Sequence, residues 1–475
     1  MIYITRISLV ISIIIAFSWN GAGAQPRKSL PNPKNIIIMI GDGVGYNHMR
    51  VTDYYLGMAA QVQEHFPVIL AMAHYPAKAG AYEANNPRSN YYASGYNTSA
   101  AWKDTSYLKR NCTESAAAAT ALATGVKTYN NSIGMSVDHD SLENLVQWAK
   151  SMGKSAGVVT TVEFAHATPA GFVAHQNSRT NYSQIAAEML LDSHCDVIMG
   201  CGDPGYDNDG KPVPGKWNNS KYVVDSSFWQ QFNLGSGKQV TFNVKGKNKT
   251  VADIDGDKVP DPWTVIRDHD AFLALQHGKT PKRVLGCPKV YETIQQERTA
   301  MNGETKNSPP FATPFVHGVP TLAEMAGGAL NVLDNNPRGF FMMIEGGATD
   351  WASHSNQKGR LIEEMSGFFE AVNSVVLWVE KNSSWDETML IVTGDHETGL
   401  LWGDQPFSPV EDNGKGNLPL MKFYSGDHTN SLVPFYAKGT GSELYRNFAD
   451  ERDSVCGPFI QNSEIAQLIH LLWVK

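Results

Sequence analysis

Asp350 and His354 stand four residues apart, a spacing that puts both side chains on one face of a helix and suits metal chelation. The same donor types recur elsewhere. Asp42 sits between two glycines, Asp395 precedes His396, Asp427 precedes His428, and Glu345 closes the apolar run Phe340–Ile344. Carboxylate and imidazole donors without cysteine suit zinc with a hard-ion neighbour such as magnesium. Ser115 opens the stretch Ala116-Ala117-Ala118-Ala119-Thr120-Ala121-Leu122-Ala123-Thr124-Gly125. A serine hydroxyl at a helix N-terminus lies where backbone N–H groups and the macrodipole favour an anion. Each feature also has an ordinary account: a turn aspartate, a buried polar group, an N-cap serine on an alanine-rich helix. Independent turns would not, however, place Asp and His together at the end of strand after strand.

The elements that must hold these residues are visible as apolar runs. Asn35–Ile40, Ser155–Thr161, Asp196–Gly202, Gly339–Ile344, Thr388–Thr393 and Leu432–Ala437 read as strands, most without polar alternation, as expected when both faces are buried. Helical patterns cover Ser115–Gly125, Leu142–Lys150, Tyr182–Leu191, Pro320–Leu333, Leu361–Lys381 and Ile465–Val474. Alternation of the two predicts an α/β fold, a three-layer α/β/α sandwich with a mostly parallel central sheet and all ligand-type residues at one edge of it. Two polar stretches, at about 77–111 and 203–262, read as insertions on that core.

The 475 residues carry a net charge of -8, which excludes nucleic acid as an expected partner. Arg6 followed by the apolar run Ile7–Trp19 and by Gly21-Ala22-Gly23-Ala24 reads as a signal peptide over residues 1–24. The run is short for a membrane span, so the expected product is exported, periplasmic or extracellular, with no membrane association beyond the leader. Export permits disulfides, and Cys195 and Cys201 are near enough in sequence to pair, but five cysteines leave at least one unpaired. In the second insertion Asp253, Asp255, Asp257 and Asp261 alternate in a way that can hold calcium through oxygen ligands, although the EF-hand pattern is absent; a solvated acidic turn is the alternative.

Taken together, Gly41-Asp42-Gly43, Thr113-Glu114-Ser115-Ala116-Ala117, His166-Ala167-Thr168-Pro169, Arg179, Glu345-Gly346 with Asp350 and His354, Gly394-Asp395-His396, and His428 resemble, in order and context, the alkaline phosphatases. The resemblance runs from about Asn35 to the end of the chain. It implies Ser115 as the nucleophile of a phosphoseryl intermediate and Arg179 as the phosphate clamp. It implies one zinc on Asp350, His354 and His428, a second on Asp42, Asp395 and His396, and a magnesium on Asp42, Thr168 and Glu345. It further implies phosphate monoesters as substrates and a homodimer.

Departures from the family pattern fall around the site. Glu114 precedes the nucleophile where an aspartate is usual, so a carboxylate one methylene longer must orient Arg179. His166 and Trp351 stand where some members carry aspartate and lysine, which should weaken magnesium binding at the third site. Within the wider superfamily a phosphodiesterase is the alternative activity, and a non-catalytic phosphate- or metal-binding homologue is the alternative class. A sulfatase is disfavoured, since Ser115 lacks the Cys/Ser-x-Pro-x-Arg context that such enzymes need.

Overall fold

Residues 30–77, 95–214 and 220–474 are described by the structure, a computed structural model. The leader over residues 1–24 and residues 78–94 of the first expected insertion lie outside the described residues.

The apolar runs become the middle of an eleven-stranded sheet. From one edge its strands are Glu451–Asp453, Gly457–Gln461, Val68–Ala73, Val433–Gly439, Thr388–Gly394, Asn35–Gly41, Phe340–Gly346, Ser155–Glu163, Val197–Cys201, Val284–Gly286 and Thr264–Ile266. The block from Thr388–Gly394 to Thr264–Ile266 is parallel throughout. Val433–Gly439 joins it antiparallel. Every residue of Asn35–Gly41, Phe340–Gly346, Ser155–Glu163 and Thr388–Gly394 is buried. That is the physical reason these strands lack polar alternation: helices cover both faces.

Successive strand residues point to opposite faces. On one face Ile37, Met39, Met342, Ile344, Leu390 and Val392 share a core with helices Leu322–Leu333 and Lys358–Asn382. On the other, the ring of Phe341 stacks on Phe172 at 5.9 Å, beside the short helix Ala167–Gly171. That helix packs against Ser115–Thr124, which in turn meets Ser463–Leu472. Ser115–Thr124 is buried along its whole length, so its alanines serve close approach rather than amphipathicity. A Cβ on Gly171 would come 2.7 Å from the Cβ of Ala119, and a larger residue there would force the two helices apart.

Five strands of this sheet were not legible as such: Thr264–Ile266 and Val284–Gly286 at one edge, and Val68–Ala73, Glu451–Asp453 and Gly457–Gln461 at the other. The latter three form the antiparallel-containing edge beyond Val433–Gly439. The stretch 203–262 folds locally into helix Ser226–Leu234 and a hairpin, Thr241–Val244 with Lys247–Thr250, around Phe228, Phe232 and Phe242. Cys195 and Cys201 are both buried, and all five cysteines are free, so the pairing suggested by their spacing is not formed.

Candidate active site

Parallel register brings the chemistry to one place. Gly41 pairs with both Gly394 and Gly346, so Asp42 and Asp395 leave adjacent strands at the same level. Glu345 lies opposite Ile40 on one side and Thr160 on the other. Helix Ala348–His354 starts just beyond and carries Asp350 and His354 one turn apart. A two-residue ladder, Glu397–Thr398 with His428–Thr429, brings His428 against His396, their rings stacked at 3.8 Å.

Two groups of metal-type donors result. Asp42, Asp395 and His396 each offer an atom within 4.8 Å of the others, and so do Asp350, His396 and His428. His396 Nε2 lies 3.4 Å from Asp42 Oδ1 and 3.2 Å from Asp395 Oδ2. Asp350 meets His354 Nε2 at 3.3 Å and His428 Nε2 at 3.4 Å, and the two Nε2 atoms face each other at 3.0 Å. The opposite ring nitrogens are anchored: His354 Nδ1 lies 2.6 Å from Gly426 O and His428 Nδ1 2.8 Å from Thr113 O. An Nδ1–H donated to a carbonyl leaves the Nε2 lone pair free for a cation, the usual arrangement of a ligating imidazole.

Four carboxylates share this buried space. Burial, then the charges of Asp395, Asp350 and Glu345, drive Asp42 well above the usual carboxylate range. Burial chiefly pushes Glu345 up to about 7 and Asp395 up to about 7. Burial also raises Asp350, but hydrogen bonds and charge from His354 and His428 outweigh it and hold that carboxyl well below its ordinary value. Both oxygens of Asp42, Oδ2 of Asp395, Oε1 of Glu345 and Oγ1 of Thr168 are buried without a hydrogen-bond partner among the described residues. Unpaired buried acceptors on this scale are costly unless protons or cations meet them. These oxygens fit a divalent cation at Asp42, Asp395 and His396 and another at Asp42, Thr168 and Glu345; at the remaining expected position the gathered donors are Asp350, His396 and His428, with His354 Nε2 beside Asp350 and His428.

Ser115 Oγ lies 3.3 Å from His396 Nε2. That resembles a serine–histidine pair, yet the same nitrogen faces two carboxylates, so it is not reserved for the serine as a general base would be. Beside it, Glu114 takes four hydrogen bonds. Its Oε1 accepts from Ala117 N at 2.9 Å and Asn131 N at 2.7 Å, and its Oε2 from Ala116 N at 3.0 Å and Arg179 Nη1 at 2.5 Å. The longer carboxylate thus caps the Ser115 helix and still reaches Arg179. Arg179 Nη2 donates to His166 Nε2 at 3.2 Å. Burial, then the neighbouring guanidinium, lowers His166 to about 3, so the ring is neutral. Its edge meets the Trp351 indole, with centroids 5.6 Å apart. Ser115, His166, Arg179, Asp350, Trp351, His354 and His428 line one open cavity of about 330 Å³.

Some contributors were not anticipated. Thr160 donates to Glu345 Oε2 and orients that carboxylate. Thr398 donates to Asp350 Oδ1 at 2.5 Å. Glu397 takes Leu400 N, Leu401 N and Thr429 Oγ1, tying the His396 turn to the strand of His428. For Thr160 the sequence signal was a polar residue inside an apolar run, whereas Glu397 and Thr398 directly follow the ligand-type pair Asp395-His396. The acidic loop of the second insertion gathers Asp253, Asp255 and Asp261 but not Asp257. There Lys282 Nζ lies 2.6 Å from Asp255 and 2.5 Å from Asp261, so an ammonium already meets those charges, as the solvated-turn alternative allows.

Known proteins share this framework. The family model described as alkaline phosphatase matches residues 33–456. Alkaline phosphatase 4 of Bacillus subtilis (strain 168) is 27% identical over 516 aligned residues, covering 93% of this chain and 93% of that protein. Among solved structures, the cold-active alkaline phosphatase of the psychrophile Shewanella sp. superposes with a TM-score of 0.62 at 22% identity, covering 93% of this chain and 100% of the other. A TAB5 alkaline phosphatase in which a histidine is replaced by glutamate, with magnesium bound in the M3 site, gives a TM-score of 0.58 at 22% identity, over 94% of this chain and 99% of that one. With the match spanning nearly all of the sheet and every strand end that carries a donor, the chain belongs to the alkaline phosphatase family.

Proposed function

We propose that the chain hydrolyses phosphate monoesters through a phosphoserine on Ser115. One observation carries the reading: a helix-opening serine hydroxyl and a guanidinium share one cavity with Asp350, His354 and His428, and Ser115 Oγ lies 3.3 Å from His396 Nε2, which faces oxygens of Asp42 and Asp395 that have no hydrogen-bond partner among the described residues. Asp350, His354 and His428 would hold one zinc, Asp42, Asp395 and His396 a second, and Asp42, Thr168 and Glu345 a magnesium. When bound, these ions supply the positive charge that lowers the pKa of a serine hydroxyl and stabilises phosphoryl oxygens.

The chain's own residues do the rest. The Ser115 oxygen attacks phosphorus in line, the ester P–O bond breaks, and the alcohol leaves; water then hydrolyses the phosphoseryl bond and releases inorganic phosphate. Arg179, held by Glu114 on one side and His166 on the other, keeps its remaining N–H groups for phosphoryl oxygens. The helix N-terminus behind Ser115 favours the same anion. The proposal includes export after residue 24, from the leader pattern of Arg6, Ile7–Trp19 and Gly21–Ala24, and a homodimer, from the family resemblance. No helix among the described residues is long and apolar enough to cross a membrane. Calcium is left out of the proposal: Asp253, Asp255 and Asp261 gather as metal-type donors, but Lys282 already meets two of the three.

Initial rates on p-nitrophenyl phosphate and bis(p-nitrophenyl) phosphate at alkaline pH, with zinc and magnesium, test the reading. The monoester should be the faster substrate by orders of magnitude. No monoester turnover sinks the proposal, and a faster diester points to the phosphodiesterase alternative.

A further inference from the structure

One group in the active-site cavity takes no part in holding metal or phosphate. Glu297 lines the same space as Ser115, Arg179 and Trp351. It is half-buried, and its carboxylate enters no ion pair among the described residues. Its backbone is fixed: Glu297 N donates to Thr293 Oγ1 at 2.8 Å. Its chain neighbours are fixed too. Gln296 Nε2 donates to Gln357 at 2.9 Å. Arg298 is buried, with Nη2 donating to Thr313 O at 2.7 Å and to Glu363 at 2.8 Å. The backbone that carries the carboxylate is therefore held at the cavity by a hydrogen-bonded segment rather than by a free loop.

A carboxylate lining that cavity repels a phosphate dianion, so its presence there calls for a cation. The metal-type donors already described lie on other elements, at the strand ends and in the helix Ala348–His354. Trp351 supplies the second half of a cation subsite, an indole ring lining the same cavity, and aromatic faces attract ammonium groups. A carboxylate and an indole together suit a quaternary or primary ammonium. An overall charge of -8 acts in the same sense, since a zwitterionic ester meets less long-range repulsion than a dianion.

We infer that Glu297 and Trp351 form a leaving-group subsite for phosphate monoesters of amino alcohols, in which the ammonium of the alcohol sits between carboxylate and indole. The inference rests on the phosphomonoesterase reading above and names its preferred substrate class.

The test compares choline phosphate with its uncharged carbon isostere, 3,3-dimethylbutyl phosphate, on the metal-loaded full chain. The two share shape and phosphate, so the ratio of their kcat/KM values isolates the positive charge. An ion pair plus a cation–π contact predicts a ratio of about five or more in favour of choline phosphate. Raised ionic strength should shrink that ratio. Glu297→Gln should bring it down severalfold towards one. A wild-type ratio near one overturns the inference, as does a ratio that Glu297→Gln leaves unchanged. If neither ester is hydrolysed, the phosphomonoesterase reading fails and this inference with it; if both are hydrolysed equally, only this inference fails.

Discussion

Glu114 reaches Arg179 at 2.5 Å while its other oxygen caps the helix that Ser115 opens. One carboxylate thus sets both the position of the nucleophile and the orientation of the guanidinium. Burial raises its pKa, but the charge of Arg179 and three backbone N–H groups outweigh that and hold it below the ordinary value. A depressed folded-state pKa means stability that is present above the normal carboxylate range and is lost as pH falls through the folded value.

Glu114→Asp separates the two duties. The shorter side chain keeps a good N-cap residue, so thermal stability should change by less than about 1 kcal/mol. It cannot span from Ala116 and Ala117 to Arg179 as before, so inhibition by inorganic phosphate should weaken severalfold. Equal phosphate affinity in both proteins would mean that the extra methylene has no consequence. Glu114→Ala should lose the cap as well, at a cost of about 1 kcal/mol or more.

Stripping the metals should make stability fall as pH rises. In the metal-free chain Asp395 and Glu345 bind protons up to about 7, and the Asp350 carboxylate overrides burial to hold His354 protonated up to about 9. A group whose folded pKa is raised contributes stability at low pH that is lost as pH climbs through that value. The buried neutral histidines act the other way: burial lowers His48 to about 4, His74 to about 4 and His166 to about 3. Their effect is complete by pH 6.5, where the unfolded side chains lose their protons. Between pH 6.5 and 9 the melting temperature of chelator-treated protein should therefore decline, and zinc with magnesium should abolish the decline. At metal a thousandfold above its dissociation constant the gain is about 4 kcal/mol per site. A flat profile without metal would contradict the carboxylate cluster as drawn.

The third-metal pocket offers a further prediction. His166 is neutral there, donates nothing to Glu345 or Asp42, and has its buried Nδ1 unpartnered. His166→Asp adds a negative charge beside Asp42, Thr168 and Glu345 and should tighten magnesium about tenfold by titration calorimetry on the zinc-loaded protein. The new carboxylate also competes for Arg179, so phosphate release should change with it. Unaltered magnesium affinity would show that His166 does not face that pocket in solution.

The central strands and the residues at their ends were legible because burial on both faces leaves no polar positions to obscure the run, as in Asn35–Gly41 and Thr388–Gly394. The edge strands were not, because Glu451–Asp453 is largely exposed and reads as a turn. Asp350 and His354 could be placed on one helix face from spacing alone. The grouping of His396 with both donor sets could not, since it depends on the register of Glu397–Thr398 against His428–Thr429. Thr160 and Thr398 were invisible for a simpler reason: threonine is an ordinary strand residue, and only its contact with Glu345 or Asp350 gives it a role. Lys282 could not be read as the neutraliser of Asp255 and Asp261, since only the fold brings it to them.

The central claim is covalent chemistry at Ser115. Metal-loaded protein mixed with a phosphate monoester and quenched in acid should yield a peptide phosphorylated on Ser115 by mass spectrometry, and Ser115→Ala should lose both the modification and nearly all turnover. Rapid hydrolysis with no phosphoserine at 115, or a Ser115→Ala protein with its rate intact, would contradict the account.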